Sequence, residues 1–345
     1  MSTVFHRVMG IMLSAARKNV SVAVAFVLLL LLAAAPLHPQ LGEAAAGDYY
    51  VGTTDQSSGG KIIVFDPGVA DWNTSAAVKW TWAPSASNGF ASPTPGWGRP
   101  SGVKIRDNCV FGGQWMTVTD SYGLAAIIPY PAGNDKKWSI NLTGTPNLHD
   151  AELLPNGNIA IAASTGGWVR IYTSSQGPTS STYVQYNLPE AHNVLWDPLN
   201  NTLWALGTTL DALTIGGTPS APTITKQFSV ALPTAHGHDL QPVYGNTDRL
   251  WVSTGSKVYQ FIKSTKSFSA AYPSTTIGRS GVKSVGDQPS GQVVETVPDT
   301  IKSPPGGCTQ STWCTDSVDF FSPDMTRTRT GAAFYKARLW NPNYQ

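Results

Sequence analysis

Charge is scarce in this chain: only 13% of its 345 residues are Asp, Glu, Lys or Arg. No charged linker interrupts it. Removing Arg7, Arg17, Lys18 and Glu43 with the first 46 residues leaves twenty basic and twenty acidic side chains. A neutral chain of this kind lacks the basic stripe that nucleic acid or an anionic membrane would require. Cysteine is equally sparse, at three residues, and zinc-type spacing is absent. Cys308 and Cys314 bracket "CTQSTWC", a short loop that a disulfide could close in an oxidising compartment. Cys109, in "NCVFGG", reads as a buried free thiol.

Long apolar runs are missing with one exception. "VSVAVAFVLLLLLAAAP" follows Arg17 and Lys18, and "EAAAGD" offers a cleavage site after Ala46. Residues 1–46 therefore read as a signal peptide, with an uncleaved anchor as the alternative. The expected product is a secreted, extracellular, single domain over 47–345 that is monomeric and makes no membrane contact after cleavage. Nothing else in the chain is long and apolar enough to span a bilayer. The sequons at Asn73, Asn141 and Asn200 would carry glycans only in a eukaryotic source.

What is abundant is turn and strand chemistry: 33 Gly, 25 Pro, 12 Trp and 12 Tyr. This composition suits an all-β, turn-rich domain. The chain also repeats itself. "NLHDAELLPNGNIAIAASTGGWVRIYT" (147–173), "EAHNVLWDPLNNTLWALGTTLDALTI" (190–215), "AHGHDLQPVYGNTDRLWVSTGSKVYQFIKSTKSF" (235–268) and "GVKSVGDQPSGQVVETVPD" (281–299) share one plan. Each opens on a polar anchor, runs through a short strand and a turn, and continues into an apolar strand, a Gly turn and a third strand. The anchors His149, His192, His238 and Lys283 stand 43, 46 and 45 residues apart. "WGRPSGVKIRDNCVFGG" (97–113) is a degenerate copy.

A last copy, "FYKARLWNPNYQ" (334–345), has only an opening strand, while 48–68 has a middle and an outer strand without one. Completing one blade from both termini is how a β-propeller closes its ring without free edges. Anchors at Arg99, His149, His192, His238, Lys283 and Lys336 give six blades. The stretch 69–98 leaves room for a seventh, and a β-sandwich is the structural alternative.

The first strand of each propeller blade lines the central channel, so the anchors should meet in one funnel. That would gather Arg99, His149, His192, His236, His238, Lys283, Lys336 and Arg338 in an otherwise neutral protein. His236 and His238 should share a face by the two-residue period of a strand, whereas Asp150 and Asp239 should face away and bond neighbouring blades. A lone His at a strand start is commonly structural, bonded to a carbonyl. Here, however, all four histidines beyond residue 46 belong to anchors. Trp115, Trp168, Trp196, Trp204 and Trp251 read mainly as core between blades.

The phrases "HDAELLPNGNIAIAAS", "AHGHDLQP", "GVKSVGDQPSGQV" and "YKARLWNP" resemble an exported β-propeller family of bacteria and fungi of largely unknown function. The design is similar to that of propeller polysaccharide lyases, among them oligogalacturonate lyase and rhamnose–glucuronate lyase. The resemblance implies β-elimination on an anionic polysaccharide or oligosaccharide containing glucuronate or galacturonate. It also implies a divalent metal ion in the funnel, for which His192, His236 and His238 are the candidate ligands.

Elimination at a uronate needs a cation on the carboxylate, a base for the C5 proton and an acid for O4. Arg99, Lys283, Lys336 and Arg338 could serve as the cations, His149 or His192 as the base, and Tyr335 or a second His as the acid. No anchor is Asp or Glu, which counts against a two-carboxylate glycosidase or a calcium-dependent funnel. A non-catalytic propeller that binds anionic glycans, or an extracellular scaffold, would use the same residues.

Overall fold

The computed structural model describes residues 47–344 apart from 108, 145, 273 and 300–312. The expected leader and Cys308 lie outside the described residues. Six four-stranded antiparallel sheets form a six-bladed β-propeller. Blade I takes its inner strand, Phe334–Leu339, from the end of the chain, and Val51–Asp55, Lys61–Phe65 and Val78–Trp82 from the start. The inner strands of blades II to VI are Pro100–Arg106, Leu148–Leu153, Asn193–Asp197, Gly237–Val243 and Ser284–Asp287. Each inner strand touches the next, and that of blade I touches that of blade II, so the ring is closed.

Closure runs through the expected pairing, with Val51 opposite Leu339 and Gly52 opposite Arg338. Gly52 is required there, because a Cβ would lie 2.4 Å from the Trp340 ring. The stretch 69–98 makes no seventh blade. It supplies the outer strand of blade I, whose Trp80 Nε1 donates to the Pro131 carbonyl and Trp82 Nε1 to that of Gly133 in blade II, and a loop whose Gly96 carbonyl accepts from Leu124 N of blade II.

Middle strands are covered on both faces by neighbouring blades, which is why they read as unbroken apolar runs. Ile159–Ala163 is buried at every position, whereas the outer strand Tyr183–Asn187 alternates between exposed and half-buried residues. Six apolar clusters fill the six joints between blades. Trp138 and Tyr172 fill the joint of blades II and III, and Trp204 and Phe261 that of IV and V. Each side chain of this size contributes about 1.5–3 kcal/mol on full burial. Trp168, Trp196, Trp204 and Trp251 are core as expected, while Trp115 is half-buried against Phe111. Cys109 is a buried free thiol and Cys314 is disulfide-bonded.

Candidate functional site

The inner strands start at one mouth of the ring, and what each carries at its start decides the chemistry of that mouth. In blades III and V the pairing with the second strand skips a residue, between Leu148 and Asp150 and between Gly237 and Asp239. The skipped residues are His149 and His238; a bulge of this kind re-aims a side chain. His192 and Lys283 sit just before their strands, each held by its backbone N–H to the carbonyl of Leu206 or Thr296. Tyr335 lies near the start of Phe334–Leu339, opposite another irregularity.

These five residues line a cavity of about 230 Å³ together with Arg99, Gln56, Ser121, Asn147 and Trp313. Arg99 is hung from a buried carboxylate, since Gly98 N and Arg99 N both donate to Asp120 Oδ2, at 2.8 and 2.7 Å.

Three imidazoles stand edge to face around one wall. The ring centroids of His149 and His192 are 4.2 Å apart, and those of His192 and His238 5.1 Å. The Tyr335 ring meets His149 edge-on at 5.8 Å. Two of the imidazoles have a fixed tautomer. Nδ1–H of His149 donates to the Asn147 carbonyl at 3.0 Å, and that of His192 to the Glu190 carbonyl at 2.7 Å. This leaves Nε2 of both rings as acceptors. His238 differs: its Nε2 lies 2.9 Å from Nζ of Lys283, so the neutral ring accepts from the ammonium. Its Nδ1 is buried without a hydrogen-bond partner.

All three rings are held neutral. Burial first, then the neighbouring His192 ring and the Lys336 charge, drives His149 well below the usual imidazole value. Burial lowers His192 to about 4 despite its bond to Glu190. Burial and the Lys283 charge lower His238 further still. Lys283 falls to about 8 through burial alone. Among the described residues neither Lys283 nor Arg99 forms an ion pair with a carboxylate. Arg99 instead faces the rings of Tyr122 and Trp313.

Beneath the funnel the channel is plugged by ions. Arg338 clamps Asp239 through both guanidinium nitrogens, at 2.5 Å each. Lys104 Nζ bonds Asp150 at 2.5 Å, and Arg106 forms a fork with Glu152 at 2.7 and 3.0 Å. Lys336 is wholly buried; its Nζ lies 3.5 Å from Asp239 Oδ1 and makes no hydrogen bond. Lys104, Arg106, Lys336 and Arg338 thus outnumber Asp150, Glu152 and Asp239, leaving one surplus positive charge below the imidazoles.

Four expectations change. His236 is not in the funnel. It precedes its strand with φ +64°, so strand alternation has not yet begun, and its exposed ring bonds Glu190 Oε2 at 3.0 Å. The set His192, His236, His238 is therefore not assembled. No three His, Cys, Asp or Glu among the described residues are placed to hold a metal ion. The donor set does not fit the expected divalent cation either, since His238 already accepts from an ammonium. Lys336 and Arg338 belong to the plug, because the strand period separates them from Tyr335; Arg338 lines the opposite mouth. Asp150 and Asp239 do bond neighbouring blades, through Val194 N and Val285 N, but they also face inward to the plug's cations.

Gln56, Ser121, Asn147 and Trp313 were not expected. Only Asn147 had a signal, as the residue two before an anchor histidine.

The chain belongs to a family of unknown function (DUF6528), matched over residues 50–301. No curated protein matches its sequence. Among solved structures it is similar to a protein of unknown function from Bacteroides caccae. The identity is 12%, with 72% of this chain and 82% of that one covered and a TM-score of 0.47. It is also similar to a catalytically inactive virginiamycin B lyase from Staphylococcus aureus with quinupristin. There the identity is 14%, the coverage 84% and 87%, and the TM-score 0.43.

Proposed function

We propose that the funnel binds the uronate of an anionic glycan and cleaves the chain beside it by β-elimination, outside the cell. The observation that carries this reading is the pair Arg99 and Lys283, two cations lining a concave site that form no salt bridge with a carboxylate among the described residues. They stand beside imidazoles that present bare Nε2 atoms. An unpaired, half-buried ammonium is costly, and an anionic ligand would supply the missing charge.

With the carboxylate between Lys283 and Arg99, the C5 proton becomes acidic. His149 Nε2 takes that proton, with His192 Nε2 as its neighbour in the same tautomer. The C5–H electrons form the C4=C5 double bond as the C4–O4 bond breaks, and the Tyr335 hydroxyl protonates O4. Burial raises the Tyr335 phenol above its ordinary value, so it enters the reaction as an acid. The carboxylate also restores basicity to the imidazoles, since an opposite charge within a few ångströms raises such a pKa by about one to three units. No step needs a metal.

A second reading is favoured by those same depressed imidazoles. Rings this reluctant to protonate are weak bases, and the funnel would then bind uronates without cleaving them. Incubation with pectin, gum arabic and glycosaminoglycans, read by absorbance in the unsaturated-uronate band and by calorimetry, decides. Growing absorbance that His149→Ala abolishes supports the lyase. Binding without absorbance leaves a glycan-binding propeller, and neither signal overturns the uronate reading.

A further inference from the structure

A groove of about 320 Å³, lined by Arg99, Ser121, Tyr122, Gly144, Asn147 and Thr165, leaves the funnel between blades II and III. It shares Arg99, Ser121 and Asn147 with the funnel, so the two are continuous. Tyr122 is 47% exposed, one of the few large hydrophobic residues so presented among the described residues. The Arg99 guanidinium lies 5.1 Å from its ring centroid.

The junction is built rather than incidental. Asp120, fully buried, accepts from Gly98 N and Arg99 N on one oxygen and from Tyr122 N at 2.8 Å on the other. One carboxylate thus sets the cation of the funnel and the aromatic ring of the groove. Asn147 is held at φ +53°, a left-handed conformation uncommon for a residue other than Gly. Its carbonyl fixes the His149 tautomer, and the residue lines both spaces. Strain of this kind persists where the surroundings enforce it, commonly at binding sites.

Resting on the uronate reading of the funnel, we propose that this groove is a second subsite that binds a neutral sugar linked to the uronate. The ligand is then an oligosaccharide of mixed charge rather than a free uronic acid or a polyuronate. Tyr122 offers a flat apolar face to the C–H face of a pyranose. Ser121, Thr165 and Asn147 bring hydroxyl and amide groups for its hydroxyls. Arg99 is the one charged side chain among the described residues that line the groove, and its place at the junction directs it to the carboxylate in the funnel. A second uronate in the groove would find no further cation among the described residues.

Calorimetry of the full chain with methyl glucuronide, methyl galacturonide and disaccharides pairing each uronate with a neutral hexose, in both linkage orders, tests this. One mixed disaccharide is expected to bind about tenfold or more tighter than its monosaccharide. Tyr122→Ala should remove that gain, read as the ratio of disaccharide to monosaccharide affinity within the same variant, while Tyr122→Phe should keep it. Equal affinity for monosaccharides and disaccharides overturns the groove and spares the funnel. A gain that survives Tyr122→Ala also overturns it. Failure of every uronate to bind overturns the funnel reading and the groove with it. A diuronate that binds as tightly as the mixed disaccharide overturns the neutral-sugar assignment.

Discussion

Nζ of Lys283 lies 2.9 Å from Nε2 of His238, an ammonium bonded to an imidazole where a carboxylate would ordinarily stand. The contact keeps His238 neutral and leaves the Lys283 charge without a carboxylate among the described residues; on the reading proposed above, that charge draws an anion into the funnel at the expense of stability. Lys283→Met should therefore abolish uronate binding while leaving the melting temperature unchanged or higher. A gain of about 1 kcal/mol would appear as roughly 2–4 °C in a domain of this size. A Met variant that melts well below wild type would show that the ammonium is structurally supported.

Acid should destabilise the ring partly through His192. Its pKa is depressed from 6.5 to about 4 by burial. The unfolded chain therefore binds the extra proton first, and stability present above pH 6.5 is lost as pH falls toward 4. His192→Asn removes this linkage, so its melting temperature should fall less steeply than wild type between those values. Parallel slopes would refute the assignment.

The plug should tolerate loss of its surplus cation far better than loss of an anion. Asp239→Asn strands Arg338 and Lys336 in the interior and should cost about 3–5 kcal/mol. Lys336→Met should cost little, and by removing a positive charge beneath them it should raise the pKa values of His149 and His192. Melting curves and NMR titration of the imidazole protons check both halves.

Closure of blade I should be required by the whole ring. Removing Tyr335–Gln345 takes away most of the strand that joins blades VI and II and exposes the edge of Val51–Asp55. The truncated chain should melt far lower than the full chain or fail to fold. Equal melting would mean that the pairing is dispensable.

The fold was legible because each blade reuses one plan: an anchor, a short strand, and a middle strand apolar on both faces. His149, His192, His238 and Lys283 were found together because equivalent positions in successive blades meet at one mouth. The reading failed by single residues where the backbone departs from that plan. At position 236 the chain turns left-handed before the strand begins, so His236 points out to Glu190. In blade I the position that matches the anchors is Tyr335, and Lys336 falls where the other blades carry Asp150 and Asp239. Part of the plug joins non-adjacent blades, Arg338 of blade I with Asp239 of blade V, and no local pattern announces such a contact. Tyr122, Asn147 and Trp313 lie outside the strands, where the repeat imposes nothing.

Uronate binding should be coupled to protons at both ends of the pH range, and the signs follow from the groups lining the funnel. Above pH 8 Lys283, lowered to about 8 by burial, loses its charge, so affinity should fall. Below neutrality the bound carboxylate should raise His192 from about 4 by roughly one to three units. The complex then takes up a proton that the free protein does not hold, and affinity should rise as pH drops from 7 to 5. The ligand carboxylate itself remains ionised over that interval. Calorimetry in buffers of different ionisation enthalpy would read the proton uptake directly, and His192→Asn should abolish it without removing binding at pH 7.5. Because the imidazoles and not a metal carry this linkage, chelator should leave the profile unchanged. An affinity that is flat from pH 5 to 9, or one lost on chelation, would show that these residues do not hold the carboxylate.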